Sequence, residues 1–130
     1  MATLVIHDES ATGKPLASMD LPGLPEQITV RELVRLRVRE EVARYNARPA
    51  TTFHGLVQPT EAEATLNGYQ LREPRTLDWE RQADVAEEAF ARNGFFILVG
   101  DRQVESLDEV VDITGNPHVA FVKLVQLVGG

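Results

Sequence analysis

An apolar stripe in residues 29–46, TVRELVRLRVREEVARYN, limits the folds open to this chain. Val30, Leu33, Val34, Val38, Val42 and Tyr45 recur at three- and four-residue steps, which puts them on one side of an α-helix. Thr29 and Glu32 have the T-x-x-E spacing of a capping box, so the start is marked, and Asn46 and Pro49 end the run. Arg31, Arg35, Arg39 and Glu40 fall mostly opposite the stripe. A helix of this kind buries its apolar face against a second layer, and the segments on either side of it read as strands.

TLVIHDE is short and β-prone, SATGKP is a turn punctuated by Gly13 and Pro15, and LASMDLP alternates as a second strand. In it Leu16, Ser18 and Asp20 share one side, and Ala17, Met19 and Leu21 the other. Together these segments predict an N-terminal hairpin, with GLPEQ connecting it to the helix. After the helix, residues 46–77 are broken by Pro49, Pro59 and Pro74, and the Asn67-Gly68 pair inside ATLNGYQL suits a small hairpin. DWERQADVAEEAFARNG predicts a second helix capped by Asp78, with Trp79, Ala83, Ala86 and Phe90 on one face and Asn93-Gly94 as its stop. FFILV is an apolar strand, GDR turns it, and QVE pairs back. SLDEVVDI reads as a short helical turn or irregular piece, TGNP as a turn, and HVAFVKLVQLV as a long final strand.

The chain has 130 residues and is 43% hydrophobic and 25% charged, enough for one domain with a real core. Its net charge of −7 argues against a general nucleic-acid or anionic-membrane binder. The absence of cysteine excludes disulfides, a thiolate nucleophile and a cysteine-ligated zinc. MATLVIHDES has no basic n-region or long apolar core, and no stretch approaches 18 apolar residues, so neither a secretory signal nor a membrane span is expected and the expected location is cytoplasmic. Only Lys14 and Lys123 among the thirteen basic residues are lysines. Arginine-rich codon usage explains such a bias. His7, His54 and His118 are isolated, Glu61 with Glu63 and Asp108 with Glu109 suit solvated surface, and GDRQVE lacks the glycine pattern of a phosphate loop. No enzyme motif is present, and neither a cofactor nor a metal is expected.

FILVGDRQVES, with its apolar strand, glycine-containing turn, Arg102, Gln103, Val104 and Glu105, resembles the ubiquitin segment that turns from a strand into a short returning strand. SLDEVVDI resembles the short turn that follows there, and VAFVKLVQLVGG resembles ubiquitin's last strand and diglycine tail. The resemblance covers about half the chain, and it implies an α+β, β-grasp (ubiquitin-like) fold over residues 1–130, with a helical insertion at 46–94 between the first helix and the third strand. The insertion points to ubiquitin-like proteins of bacterial conjugation systems rather than to ubiquitin itself.

The resemblance also implies a function. An activating enzyme would use ATP to adenylate the carboxylate of Gly130, and a nucleophile would then displace AMP. Gly129 and Gly130 lack Cβ atoms, so the backbone can thread a narrow channel and leave the acyl carbon unhindered. Neither residue is catalytic, and the protein is not an enzyme. A conjugating enzyme, a deconjugating peptidase and protein targets would complete such a pathway. A sulfur carrier ending in a thiocarboxylate, or an interaction module without conjugation, are the alternatives on the same scaffold. Leu98 and Leu124 stand near the positions of ubiquitin's docking patch, although an apolar strand such as FFILV also suits burial on both faces. Gln126 and Val128 replace basic residues near ubiquitin's tail, which implies a dedicated activating partner. Lys123 stands where ubiquitin has a core residue, so either the register slips by one or the strand is built differently.

Overall fold

The computed structural model describes residues 2–65 and 68–124. Its main sheet has five strands in the order β2-β1-β10-β7-β8. β1 (Ala2–Ser10) and β2 (Pro15–Leu24) are the expected hairpin, joined through Gly13 at a φ of 85°. β10 (Val119–Lys123) lies at the centre, parallel to β1 on one side and antiparallel to β7 (Phe95–Val99) on the other. β8 (Arg102–Gln103) closes the far edge.

The alternation along each strand decides what faces inward. Leu4 and Ile6 of β1, Val119 and Phe121 of β10, and Phe95 and Ile97 of β7 are buried. Against them lies α1 (Val30–Ala47), whose Val30, Leu33, Val34, Val38 and Val42 are buried as the stripe predicts. Thr29 caps the helix: its hydroxyl accepts from Glu32 N at 3.1 Å and donates to the Glu32 carboxylate at 2.9 Å. The α1 ladder thus begins directly after β3 (Gln27–Thr29).

The segment between α1 and β7 holds α2 (Trp79–Ala91) and a three-stranded sheet ordered β4-β6-β5, from Thr52–Phe53, Gly68–Leu71 and Ala62–Thr65. α2 is capped by Asp78, whose side chain accepts from Glu80 N at 3.0 Å. It stops where Asn93 takes a φ of 61° and Gly94 N donates back to Ala89 O at 2.7 Å. Ala83 and Ala86 are buried against α1, while Arg31 and Arg35 of α1 pair with Glu87 and Asp84 across the helix–helix contact. Phe53, Leu56, Val57, Leu71 and Leu77 join the same hydrophobic cluster as the main sheet.

These sheets correct the expected α+β, β-grasp fold with a helical insertion. Among the described residues there are ten strands in three sheets and only two helices, a mixed α/β fold that is mostly sheet. Two segments account for the difference. The proline-broken stretch after α1 builds a sheet of its own, in which Thr65 lies opposite Gly68, so that Gly68 begins a strand instead of completing a turn. SLDEVVDI, read as a short helical turn or irregular piece, contains β9 (Val110–Asp112), whose Val111 pairs with Ile28 to form a two-stranded sheet with β3. Successive β-branched residues beside a buried isoleucine favour the extended form. No helix among the described residues is long and apolar enough to cross a membrane.

Candidate functional site

The outer face of the main sheet is set by the same alternation. Leu98 pairs with Ala120, and Phe96 with Val122, so these four residues point away from α1. Leu98, Phe96 and Val122 are partly buried, and Leu124, just past β10, is 43% exposed. Leu98 and Leu124 are therefore not core residues: FFILV buries Phe95 and Ile97 and turns Phe96 and Leu98 outward. Leu16, 54% exposed, lies near the same end of the sheet, because Pro15 pairs with Glu9 and Glu9 with Val122. Gln126, Val128, Gly129 and Gly130 lie outside the described residues.

His7 and His118 also sit on the outer face. Their rings stack at 4.3 Å, and His118 Nε2 lies 3.0 Å from Glu9 Oε2. Isolated in sequence, these histidines come together because β1 runs beside β10, with His7 opposite Ala120. Among the described residues no group of three or more His, Asp or Glu side chains could hold a metal ion.

Beneath the sheet lies a cluster that sequence reasoning missed. Arg37 is 2% exposed and Glu41 6% exposed, both on the apolar side of α1. The Arg37 guanidinium holds both oxygens of Asp8 on β1, with Nη2 to Oδ2 at 2.8 Å, and donates from Nε to Glu41 Oε2 at 3.3 Å. It also covers the ring of Phe121, 4.6 Å from its centroid. Glu41 Oε1 accepts from Leu56 N at 3.0 Å, and Lys123 Nζ donates to Gly55 O at 2.8 Å. Lys123 thus points inward in register with Val119 and Phe121, and the strand accommodates it by giving the ammonium a buried carbonyl.

The four charges shape one another. Burial would lower Arg37, but the Glu41 charge and the bonds to Asp8 outweigh it and keep the guanidinium ionised. Burial pushes the Glu41 carboxyl up, against the pull of Arg37, the Leu56 amide and Lys123. Burial and the like charge of Arg37 pull the Lys123 ammonium down. A cavity of about 90 Å³ opens beside the cluster, lined by Asp8, Ser18, Met19, Arg37, Glu41 and His54. A second, of about 190 Å³, lies between the end of α2 and β7, with Phe90, Asn93, Phe96 and Gln103 in its wall.

The chain therefore presents an apolar outer surface beside the strand that leads to its glycine pair, and a charged cluster behind that strand. No protein-family model, curated protein or solved structure matches the chain.

Proposed function

We propose that this chain is a protein modifier of the ubiquitin-like kind, joined to targets through the carboxylate of Gly130. In this reading an activating enzyme binds the outer sheet face around Leu98, Val122 and Leu124. It takes the segment with Gln126 and Val128 into its channel and brings Gly130 to ATP. A Gly130 carboxylate oxygen attacks the α-phosphate of ATP and expels pyrophosphate. A thiolate of the activating or conjugating enzyme then attacks the acyl carbon and expels AMP, and a target amine finally displaces the thiolate to form an amide. The chain contributes the acyl group and its grip, and the partners contribute the catalytic groups and the ATP. In this reading the pathway is cytoplasmic, where ATP is available, and a deconjugating peptidase would reverse it.

The observation that supports this reading is the setting of β10. It is hydrogen-bonded on both sides at the centre of the sheet and carries Ala120 and Val122 outward beside Leu98. The sequence then runs from Lys123 through LVQLV to Gly129 and Gly130. A strand held on both edges is a rigid base for a segment that a partner must thread.

Trypsin provides the test. Cleavage after Lys123 would leave Leu124–Gly130, LVQLVGG, as a branch on any conjugated peptide. The reading expects native protein whose intact mass ends at Gly130, together with LVQLVGG branches on target peptides from the source cells. It also expects a thiol-sensitive adduct with the activating enzyme encoded beside its gene, dependent on ATP and lost on deleting Gly130. Replacement of one oxygen by sulfur in the intact mass would instead make the protein a sulfur carrier. A chain continuing past Gly130 in its mature form, or no adduct and no branched peptide, overturns the proposal.

A further inference from the structure

Buried polar side chains in this molecule converge on one short loop. Arg37, Glu41 and Gln82 are the buried polar residues among those described. Glu41, from α1, accepts from the amide of Leu56 at 3.0 Å, and Gln82, from α2, reaches Val57 O at 3.4 Å. Lys123, the last residue of β10, donates to Gly55 O at 2.8 Å, and Arg37 steadies Glu41 from the preceding helical turn. Three consecutive residues are thus held by side chains from three different elements. The loop is also shaped for this position. A Cβ on Gly55 would come within 2.1 Å of the Phe53 ring, so only glycine fits beneath that ring.

Stability alone does not explain such an arrangement. Buried ion pairs lose much of their Coulomb gain to desolvation, and apolar residues of similar volume often stabilise as well or better. Breaking such a pair, by contrast, leaves a buried group unpaired, so a misplaced loop is penalised. Here the packing so favoured is that of the inserted segment against the end of β10. Leu56 and Val57 are buried, but Gly55–Val57 belongs to no strand and none of the main sheet's pairings runs through it. The loop can therefore open without dismantling the sheet.

We infer that the Gly55–Val57 loop is a latch between the inserted segment and β10, closed by Lys123 and Glu41, which opens locally and whose release frees the end of β10 from the inserted segment. The latch needs only the bonds just described. Calling β10 the strand that leads to the reactive glycine rests on the proposed function, and the test below does not depend on it.

Amide hydrogen exchange followed by NMR on the full chain tests the latch. In the wild-type protein the Leu56 amide should exchange through a local opening that low denaturant hardly affects. The amide of Val104, buried just past β8 and donating to Ile97 O of β7, should exchange only with global unfolding. Lys123→Met should speed Leu56 exchange about tenfold or more and leave Val104 within about twofold. Lys123→Arg, which keeps a donor and the charge, should restore most of the protection at Leu56. Equal acceleration at Leu56 and Val104, or none at Leu56, overturns the latch. If Lys123→Met does not fold, the wild-type series decides: a Leu56 amide with the same denaturant dependence as Val104 overturns it.

Discussion

At Arg37 and Glu41, α1 carries charge where its own period calls for apolar side chains, two turns on from Val30 and Val34. The pattern shows itself once the stripe is extended along the whole helix, and Asp8 and Lys123 follow the same logic on strands, alternating with Ile6 and with Phe121 on the inward side. The positions of these charges are thus legible in the sequence. Their partners are not, because Asp8 meets Arg37 only when α1 packs across β1. The pH behaviour of the cluster follows from the direction of each shift. Glu41 titrates above its ordinary 4.5 in the folded state, so its contribution is present below pH 4.5 and is lost as pH rises through the folded value. Lys123 titrates below its ordinary 10.5, so its contribution is present above pH 10.5 and is lost as pH falls through the folded value. Urea unfolding across pH should show the first dependence vanish in Glu41→Gln and the second in Lys123→Met. Of the two lysines, Lys123 is engaged with Gly55 O while Lys14 is exposed in the β1–β2 turn. If the protein forms conjugates with itself, Lys14→Arg should remove them from intact-mass spectra.

Among the elements, both helices begin at the caps their sequences carry, because capping is a local transaction between a side chain and nearby amides; α2 stops at Asn93-Gly94 as expected, whereas α1 runs through Asn46 to Ala47 and Asn46 instead bonds the backbone of Leu77. Thr29→Ala should lower stability by about 1 kcal/mol in chemical denaturation, the usual loss for an N-cap hydroxyl. The hairpin of β1 and β2 was equally readable; of the side shared by Ala17, Met19 and Leu21, Leu21 is buried and Met19 partly so, while Ala17 is exposed. The β3–β9 pair was not, since three-residue strands owe their form to each other across a long sequence separation, and SLDEVVDI alone carries no mark of its partner. The inserted sheet was legible only as its hairpin, because β4 consists of two residues and joins by pairing Phe53 with Tyr69. Two glycines hold that region in shape. Gly68 has a φ of 123° and little room, with His54 Nδ1 2.8 Å and Phe53 O 2.9 Å from where a Cβ would stand. Gly55→Ala drives a methyl group into the Phe53 ring and should destabilise by about 1–3 kcal/mol, the range for overpacked cores. Thermal unfolding followed by circular dichroism measures it.

On the scale of the whole molecule, one hydrophobic cluster runs from the main sheet through α1 into the inserted segment. Trp79, the single tryptophan, packs against that cluster from α2, with Arg35 and Arg39 over its ring. Its fluorescence reports the inserted segment, whereas far-ultraviolet circular dichroism reports the whole. The two signals should give coincident denaturation midpoints, and a separate early fluorescence transition would mean that the segment melts alone.

The pairing of β1 with β10 has a consequence for how the protein is made. Ile6 lies opposite Val119, so the sheet cannot close until Val119–Lys123 has emerged from the ribosome. Until then the nascent chain has β1 and β7 without the strand that separates them, two unsatisfied edges of the kind that recruit other chains. Such non-local closure is also slow. Synthesis therefore passes through an interval of exposure that ends only when Val119–Lys123 slots between them, and a chain that stops short of this strand should associate with its neighbours instead of folding.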